Sequence, residues 1–219
     1  MKKTSNPMIF TDGKKLYTKN PENCIGTKVY NENIKRIKNV EYRSWNPYRS
    51  KISAAMQNGF KFEINKDYNV LYLGAATGTT VSHFSDILTD GIIYAVEKSA
   101  ISMKKLLDIC RKRKNIIPLM QDAYHPDRYQ NIVGNIDLIY QDISQRNQAE
   151  IFIKNIEIFL KKDQKAILMV KARSIDVSKK PDIIYNDIID KLKINGLKII
   201  QKVCLKPYEK DHMAIKIIK

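Results

Sequence analysis

Five apolar runs along the chain each stop on a glycine or a polar residue, at Gly74, Glu97, Asp122, Asp142 and Lys171, with helix-like stretches between them. Strand-length apolar runs that alternate with amphipathic segments leave few architectures open. The strands must be buried on both faces, which predicts a mostly parallel α/β sheet carrying its chemistry at the carboxyl ends of its strands.

The first run, Val70–Leu73, leads into Gly74-Ala75-Ala76-Thr77-Gly78-Thr79-Thr80, where small residues let backbone approach a ligand before a helix begins. Val81, Phe84, Ile87 and Leu88 recur at helical spacing, and Asp90-Gly91 turns the chain into the strand Ile92–Val96. Glu97 then falls about twenty residues past the glycine loop, where a carboxylate in a dinucleotide-type fold accepts hydrogen bonds from ribose hydroxyls. The spacing fits an adenosine ligand. Ser99 is placed to cap a helix that turns Ile101, Leu106, Ile109 and Cys110 toward the sheet, and Ile116–Met120 reads as a third strand before Asp122-Ala123. Ile136–Tyr140 meets Asp142, with Ala149, Phe152, Ile153, Ile156 and Phe159 at helical spacing behind it. Ala166–Val170 delivers Lys171, Pro181 opens a helix through Ile184, Ile188 and Leu192, and Asn195-Gly196 ends it. Closing strands are expected near Leu197–Leu205 and Met213–Ile218.

Residues 1–46 have another texture. Ile9-Phe10 and Leu16-Tyr17 flank Asp12-Gly13, a tight-hairpin signal, and Val29, Ile34, Ile37 and Val40 suggest further short strands. A small β-rich N-terminal subdomain is therefore expected ahead of a main domain over 47–219, joined through Trp45-Asn46-Pro47-Tyr48 and a short helix around Arg49–Asn58 that Gly59 stops. At 219 residues the chain needs no staple, and Cys24, Cys110 and Cys204 are too few and too scattered for a disulfide framework or a zinc site. No apolar run approaches the length that crosses a bilayer, so a soluble protein without membrane or metal is expected. The formal charge of +16, from 39 basic against 23 acidic side chains, favours a polyanionic partner such as RNA. The chain's abundant Lys, Ile and Asn also suit an AT-rich genome, so the charge only corroborates.

The fold alone leaves dehydrogenases, methyltransferases and nucleotide enzymes open. The loop arbitrates among them. It lacks the third glycine of the dinucleotide fingerprint and carries no glycine-lysine pair for a triphosphate, which leaves S-adenosylmethionine as the leading ligand. Val70 to Glu97, reading VLYLGAATGTTVSHFSDILTDGIIYAVE, closely resembles the fibrillarin family of RNA 2′-O-methyltransferases. The resemblance continues through Arg43-Ser-Trp-Asn-Pro-Tyr-Arg-Ser-Lys51, Asn115-Ile-Ile-Pro, Asp122-Ala-Tyr-His-Pro, Asp142-Ile-Ser-Gln145, Lys171-Ala-Arg-Ser-Ile-Asp176 and Pro207-Tyr-Glu-Lys-Asp-His212. It covers almost the whole chain.

This resemblance implies a Rossmann-like class I methyltransferase sheet, with Gly74, Ala75, Thr79, Thr80, Glu97, Lys98, Asp122, Ala123, Asp142, Ile143, Ser144 and Gln145 around S-adenosylmethionine and its product S-adenosylhomocysteine. It implies Glu97 on the ribose, Asp122 and the Ala123 amide on the adenine edge, and Asp142 near the methionine amino group and sulfonium. The family usually has Ser at Thr77, Phe at Lys98 and Pro at Arg146, so Lys98 removes an apolar contact from the adenosine. Lys51, Asp142 and Lys171 match the family's catalytic positions, with His212 a fourth candidate. Methyl transfer needs the ribose 2′-oxygen oriented and its proton removed, which assigns positioning and electrostatics to Lys51 and Asp142 and the base to Lys171. Without the family match, Lys51 reads as a solvated helix residue, while Asp142 reads equally as a helix cap and His212 as a strand hydrogen-bonder. A noncatalytic RNA-binding scaffold and a guide-independent RNA base methyltransferase are the rival functions. The family's partners, a box C/D guide RNA with its rRNA or tRNA target, a NOP-type scaffold and, indirectly, a kink-turn-binding ribosomal-type protein, are expected here. Lacking a Gly/Arg-rich extension, the chain is similar to the short archaeal form, which implies the cytoplasm; a eukaryotic form would be nucleolar.

Overall fold

The computed structural model describes residues 1–219. Strands β1 (Lys2–Lys3), β2 (Ile9–Thr11), β3 (Leu16–Lys19), β4 (Ile34–Ile37) and β5 (Val40–Trp45) make an antiparallel sheet in the order β1-β2-β3-β5-β4. The Asp12 carboxylate closes the β2–β3 hairpin by accepting the amides of Lys14 and Lys15. Val29, expected in a strand, is not in one: its amide and that of Tyr30 donate to the Glu32 carboxylate, which folds the segment into a turn.

Helices and strands then alternate through α1 (Lys51–Gln57), β6 (Val70–Leu73), α2 (Thr79–Ile87), β7 (Ile93–Val96), α3 (Ala100–Cys110), β8 (Ile116–Leu119) and β9 (Leu138–Gln141). The remainder is α4 (Gln148–Phe159), β10 (Lys165–Lys171), α5 (Ala172–Ile175), α6 (Pro181–Ile194), β11 (Lys198–Cys204) and β12 (His212–Ile218). The main sheet runs β11-β12-β10-β9-β6-β7-β8, parallel from β10 to β8, with β12 antiparallel to both neighbours. The chain winds outward from β6 to β8 and then crosses back to β9 on the other side of β6. That reversal opens a crevice at the carboxyl ends of β6 and β9.

Alternating strand residues feed two cores. Leu71, Leu73, Ile139, Leu168 and Val170 face α4 and α6, whereas Val70, Tyr72, Tyr140, Ile167 and Met169 face α1, α2, α3 and the N-terminal sheet. Each fully buried side chain of this kind, Phe84 on α2 for example, contributes about 1.5–3 kcal/mol. One expectation for α3 fails. Ser99 does cap the helix through the Ser102 amide, and Leu106 and Met103 are buried, but Ile101 is 80% exposed. It stands five residues before Leu106, about 140° around the helix, and so points away from the sheet.

A buried ionic cluster joins the two sheets. Arg43 on β5, wholly inaccessible, places Nε 2.6 Å from Glu32 Oε1, Nη1 2.6 Å from Asp86 Oδ2 and Nη2 2.9 Å from Ser82 Oγ, the last two on α2. Arg113 pairs with the other Asp86 oxygen. His83 lies in the same cluster, against the Thr18 and Tyr30 hydroxyls and stacked on Trp45 with ring centroids 4.8 Å apart. Removing one partner of such a set leaves an unpaired buried charge, which costs about 3–5 kcal/mol.

Burial, and after it the guanidiniums of Arg43 and Arg113, push the His83 pKa well below the ordinary histidine value. The unfolded imidazole takes up a proton below about pH 6.5 while the folded one does not, so stability is complete above that pH and declines beneath it. We expect the urea-denaturation free energy to fall between about pH 7 and 5, and His83→Gln to make that slope shallower. An unchanged slope in the variant would assign the acid loss to other groups.

Candidate active site

The carboxyl ends of the parallel strands surround a cleft of about 280 Å³. Of the residues expected around a ligand, Gly74, Glu97, Lys98, Ala123, Asp142, Ile143, Ser144 and Gln145 line it, together with Lys171. Asp122 stands beside the cleft, where Oδ1 accepts from Gln145 Nε2 at 3.3 Å and from the Tyr124 amide at 3.0 Å, and Oδ2 lies 3.4 Å from Lys98 Nζ. These contacts tie together the loops after β7, β8 and β9. Burial works to raise the Asp122 pKa, but the Tyr124 amide, Gln145 and Lys98 prevail and lower it.

Ala75, Thr79 and Thr80 are not among the cleft's lining residues. Gly78, at φ +86°, turns the chain into α2, so Ala75 is buried, Thr80 donates to Ser50 Oγ at 3.0 Å, and Thr79 lines a neighbouring cavity with Thr77 and Arg49. Ser50 also accepts from Trp45 Nε1 at 2.8 Å, which fixes the start of α1.

Glu97 serves as a brace. Its two oxygens accept the Ala76 amide at 2.8 Å and the Ser99 amide at 2.7 Å, joining the glycine loop to the head of α3. Gly74 adopts φ +86°, and a Cβ there would lie 2.6 Å from the Asp142 carbonyl oxygen and 2.8 Å from Ile143 Cγ2. Only glycine lets the loops after β6 and β9 approach this closely.

Two strand-end charges and a helix lysine meet at the cleft's inner wall. Asp142 Oδ1 lies 2.8 Å from Lys171 Nζ and 3.4 Å from Lys51 Nζ, with all three side chains less than one-fifth exposed. Both ammoniums crowd Oδ1, which is itself shut off from solvent. Burial would raise the Asp142 pKa, yet the Lys51 and Lys171 charges overcome it and hold the carboxyl below the usual carboxylate range. Lys171 Nζ also donates to the Asp142 carbonyl at 3.1 Å and to Ser144 Oγ at 2.9 Å. Lys51 reaches Asp142 from outside the cleft lining; Lys171 lies within it. His212 pairs with Lys171 across β10 and β12, and its Nδ1–H donates to the Lys210 carbonyl at 2.6 Å. Burial first, then the Lys51 charge, lower its pKa, while the Lys210 bond opposes them.

Sequence reasoning passed over several residues. Ser99, Ser102 and Gln121 line the cleft, and the first and last follow strand ends closely enough to have been considered. Gln148 gave no local signal: from α4 its side-chain amide donates to the Lys171 carbonyl at 3.2 Å and accepts the Lys171 amide at 3.0 Å.

An acid-lined crevice at the switch point of this sheet, with a lysine at its inner wall, defines a Rossmann-like class I methyltransferase. The chain belongs to the fibrillarin family, whose model, described as Fibrillarin, matches residues 3–219. A fibrillarin-like rRNA/tRNA 2′-O-methyltransferase of Methanothermobacter thermautotrophicus is 47% identical over 208 residues, spanning 94% of this chain and 92% of that protein. Among solved structures, a fibrillarin/Nop5p complex contains a chain 42% identical, with TM-score 0.89 and full coverage of both chains. Aeropyrum pernix fibrillarin with natively bound S-adenosyl-L-methionine is 40% identical, with TM-score 0.84 over 93% of this chain and 89% of that one.

Gly74→Ala is expected to destabilise the fold by about 1–3 kcal/mol in urea denaturation, from the positive φ and the clash with the loop after β9. A cost near zero would mean that the two loops are not held in contact.

Proposed function

We propose that the chain transfers methyl from S-adenosylmethionine to ribose 2′-hydroxyls of rRNA and tRNA, as the catalytic subunit of a guide-directed box C/D ribonucleoprotein. One observation carries the reading: Lys171 is aimed into an acid-lined cleft and is held there by Asp142, Ser144 and Gln148. The named relatives are rRNA/tRNA 2′-O-methyltransferases, one relative is solved with S-adenosyl-L-methionine bound and another with Nop5p. The last supports a NOP-type scaffold as partner. A guide RNA and a kink-turn-binding protein complete the proposed assembly, which we place in the cytoplasm on the same resemblance.

The residues fit the donor. Glu97 and Ala123 line the cleft with Asp122 beside it, and by the family resemblance Glu97 would take the donor's ribose hydroxyls, Asp122 and the Ala123 amide its adenine edge, and the Asp142 carboxylate its cationic amino or sulfonium end. S-adenosylmethionine supplies an electrophilic methyl on sulfonium, leaving S-adenosylhomocysteine. The protein's task is then to hold the 2′-hydroxyl in line and take its proton. Lys51 and Asp142 supply positioning and electrostatics, while Lys171, the one of the two lysines that lines the cleft, takes that proton after its own ammonium has released one to solvent. Lys51 shares the Asp142 charge with it, so the carboxylate is divided between two cations. His212 is a positioning residue opposite Lys171.

Radiolabelled methyl transfer to a target whose single 2′-hydroxyl is replaced by hydrogen should disappear; undiminished labelling rejects ribose chemistry. Lys171→Ala should slow turnover about 100- to 10,000-fold, while calorimetry shows donor binding retained. Wild-type turnover in that variant would remove Lys171 from the base role.

A further inference from the structure

Strand β10 outruns its parallel neighbour. β9 stops at Gln141, opposite Leu168, while β10 runs on to Lys171 with β12 alone beside it. The Lys171 peptide groups on the open side must find partners elsewhere, because buried N–H and carbonyl groups are costly to leave unpaired. A side chain supplies them. Gln148, which opens α4, accepts the Lys171 amide on Oε1 at 3.0 Å and donates from Nε2 to the Lys171 carbonyl at 3.2 Å. A carboxamide carries an acceptor and a donor side by side, so this paired contact fills the place of the missing strand.

Gln148 is held in turn. It is fully buried, and Gln141, equally buried at the end of β9, donates from Nε2 to the Gln148 carbonyl at 2.8 Å. Gln141 Oε1 has no partner in the fold. An unpartnered buried oxygen works against stability, so a leucine of similar volume would serve the core at least as well, and what Gln141 adds is its grip on Gln148.

At the other end of Lys171 the ammonium is held by Asp142 Oδ1 at 2.8 Å, the Asp142 carbonyl and Ser144 Oγ. The Asp142 contact is ionic and weakens as soon as Nζ is neutral, which is the state a base must have. A long, flexible side chain is then without its strongest tether at the moment of reaction. The Gln148 bonds carry no charge and persist.

We propose that Gln148 is a positioning residue for methyl transfer: by clamping the Lys171 backbone it keeps the neutral amine aimed at the acceptor hydroxyl. Nζ then takes the hydroxyl proton as the oxygen–methyl bond forms and the sulfur–methyl bond breaks. The proposal rests on Lys171 being the base of the 2′-O-methyltransferase reading.

Gln148→Leu removes both bonds at similar volume. In methyl transfer by the full chain, assembled with its scaffold and guide RNA, kcat should fall about 10- to 100-fold, as for a misplaced catalytic group, while the KM for RNA and the calorimetric affinity for S-adenosylmethionine stay at wild-type values. Gln141→Leu should lower kcat by a smaller factor without lowering the melting temperature, and it decides the matter where Gln148→Leu does not fold. A double-mutant cycle separates positioning from general support: added to Lys171→Ala, either leucine should cost nothing further, because the group it aims is gone. Wild-type kcat in both leucine variants overturns the proposal, as does a loss confined to KM or donor affinity, or an equal loss with and without the Lys171 side chain. Should Lys171→Ala itself turn over normally, the base assignment falls and takes the role of the clamp with it; slow Lys171→Ala beside normal Gln148→Leu and Gln141→Leu removes the clamp alone.

Discussion

The Arg43 guanidinium, buried between Glu32 and Asp86, sets the relation of everything else. A cation taken out of water persists only with its acids in place, so β5 has one position over α2. Two residues on, Trp45 stacks on His83 and donates to Ser50, and Ser50 also receives Thr80 from α2. The next residue is Lys51, whose ammonium faces Asp142. A charge pairing deep in the seam between the two sheets thereby reaches the cleft wall along a chain of short contacts, and the N-terminal sheet is part of what positions Lys51.

At the cleft the same principle runs in the opposite sense. Asp142 is nearly enclosed, and burial alone would neutralise it; two lysines approaching from α1 and β10 keep it ionised. The result is a single carboxylate kept between two ammoniums, within a chain of net charge +16.

Much of the architecture was legible because the central strands β6, β7, β9 and β10 are buried on both faces and their hydrophobic runs are nearly unbroken: Val70–Leu73 matches its predicted bounds, and the other six main-sheet strands differ only at their ends. Errors arose where local pattern met tertiary context. Ile101 has the residue type of a core position but lies on the wrong side of its helix, and Val29 lost its strand to the Glu32 carboxylate. At the site, residues directly after strand ends were readable, since strand direction dictates where they emerge. Gln148 was not: it acts from a helix, through bonds to the Lys171 backbone that nothing in its neighbours announces.

By itself, then, the order of apolar runs and their polar terminators determined a parallel sheet with acids and a lysine along one rim, because periodicity and strand polarity are local properties. Tertiary structure alone decided which of these groups touch. It placed Thr80 on Ser50 and divided Asp142 between Lys51 and Lys171. Those outcomes depend on desolvation and on distances between residues far apart in the chain, and neither quantity exists until the chain has folded.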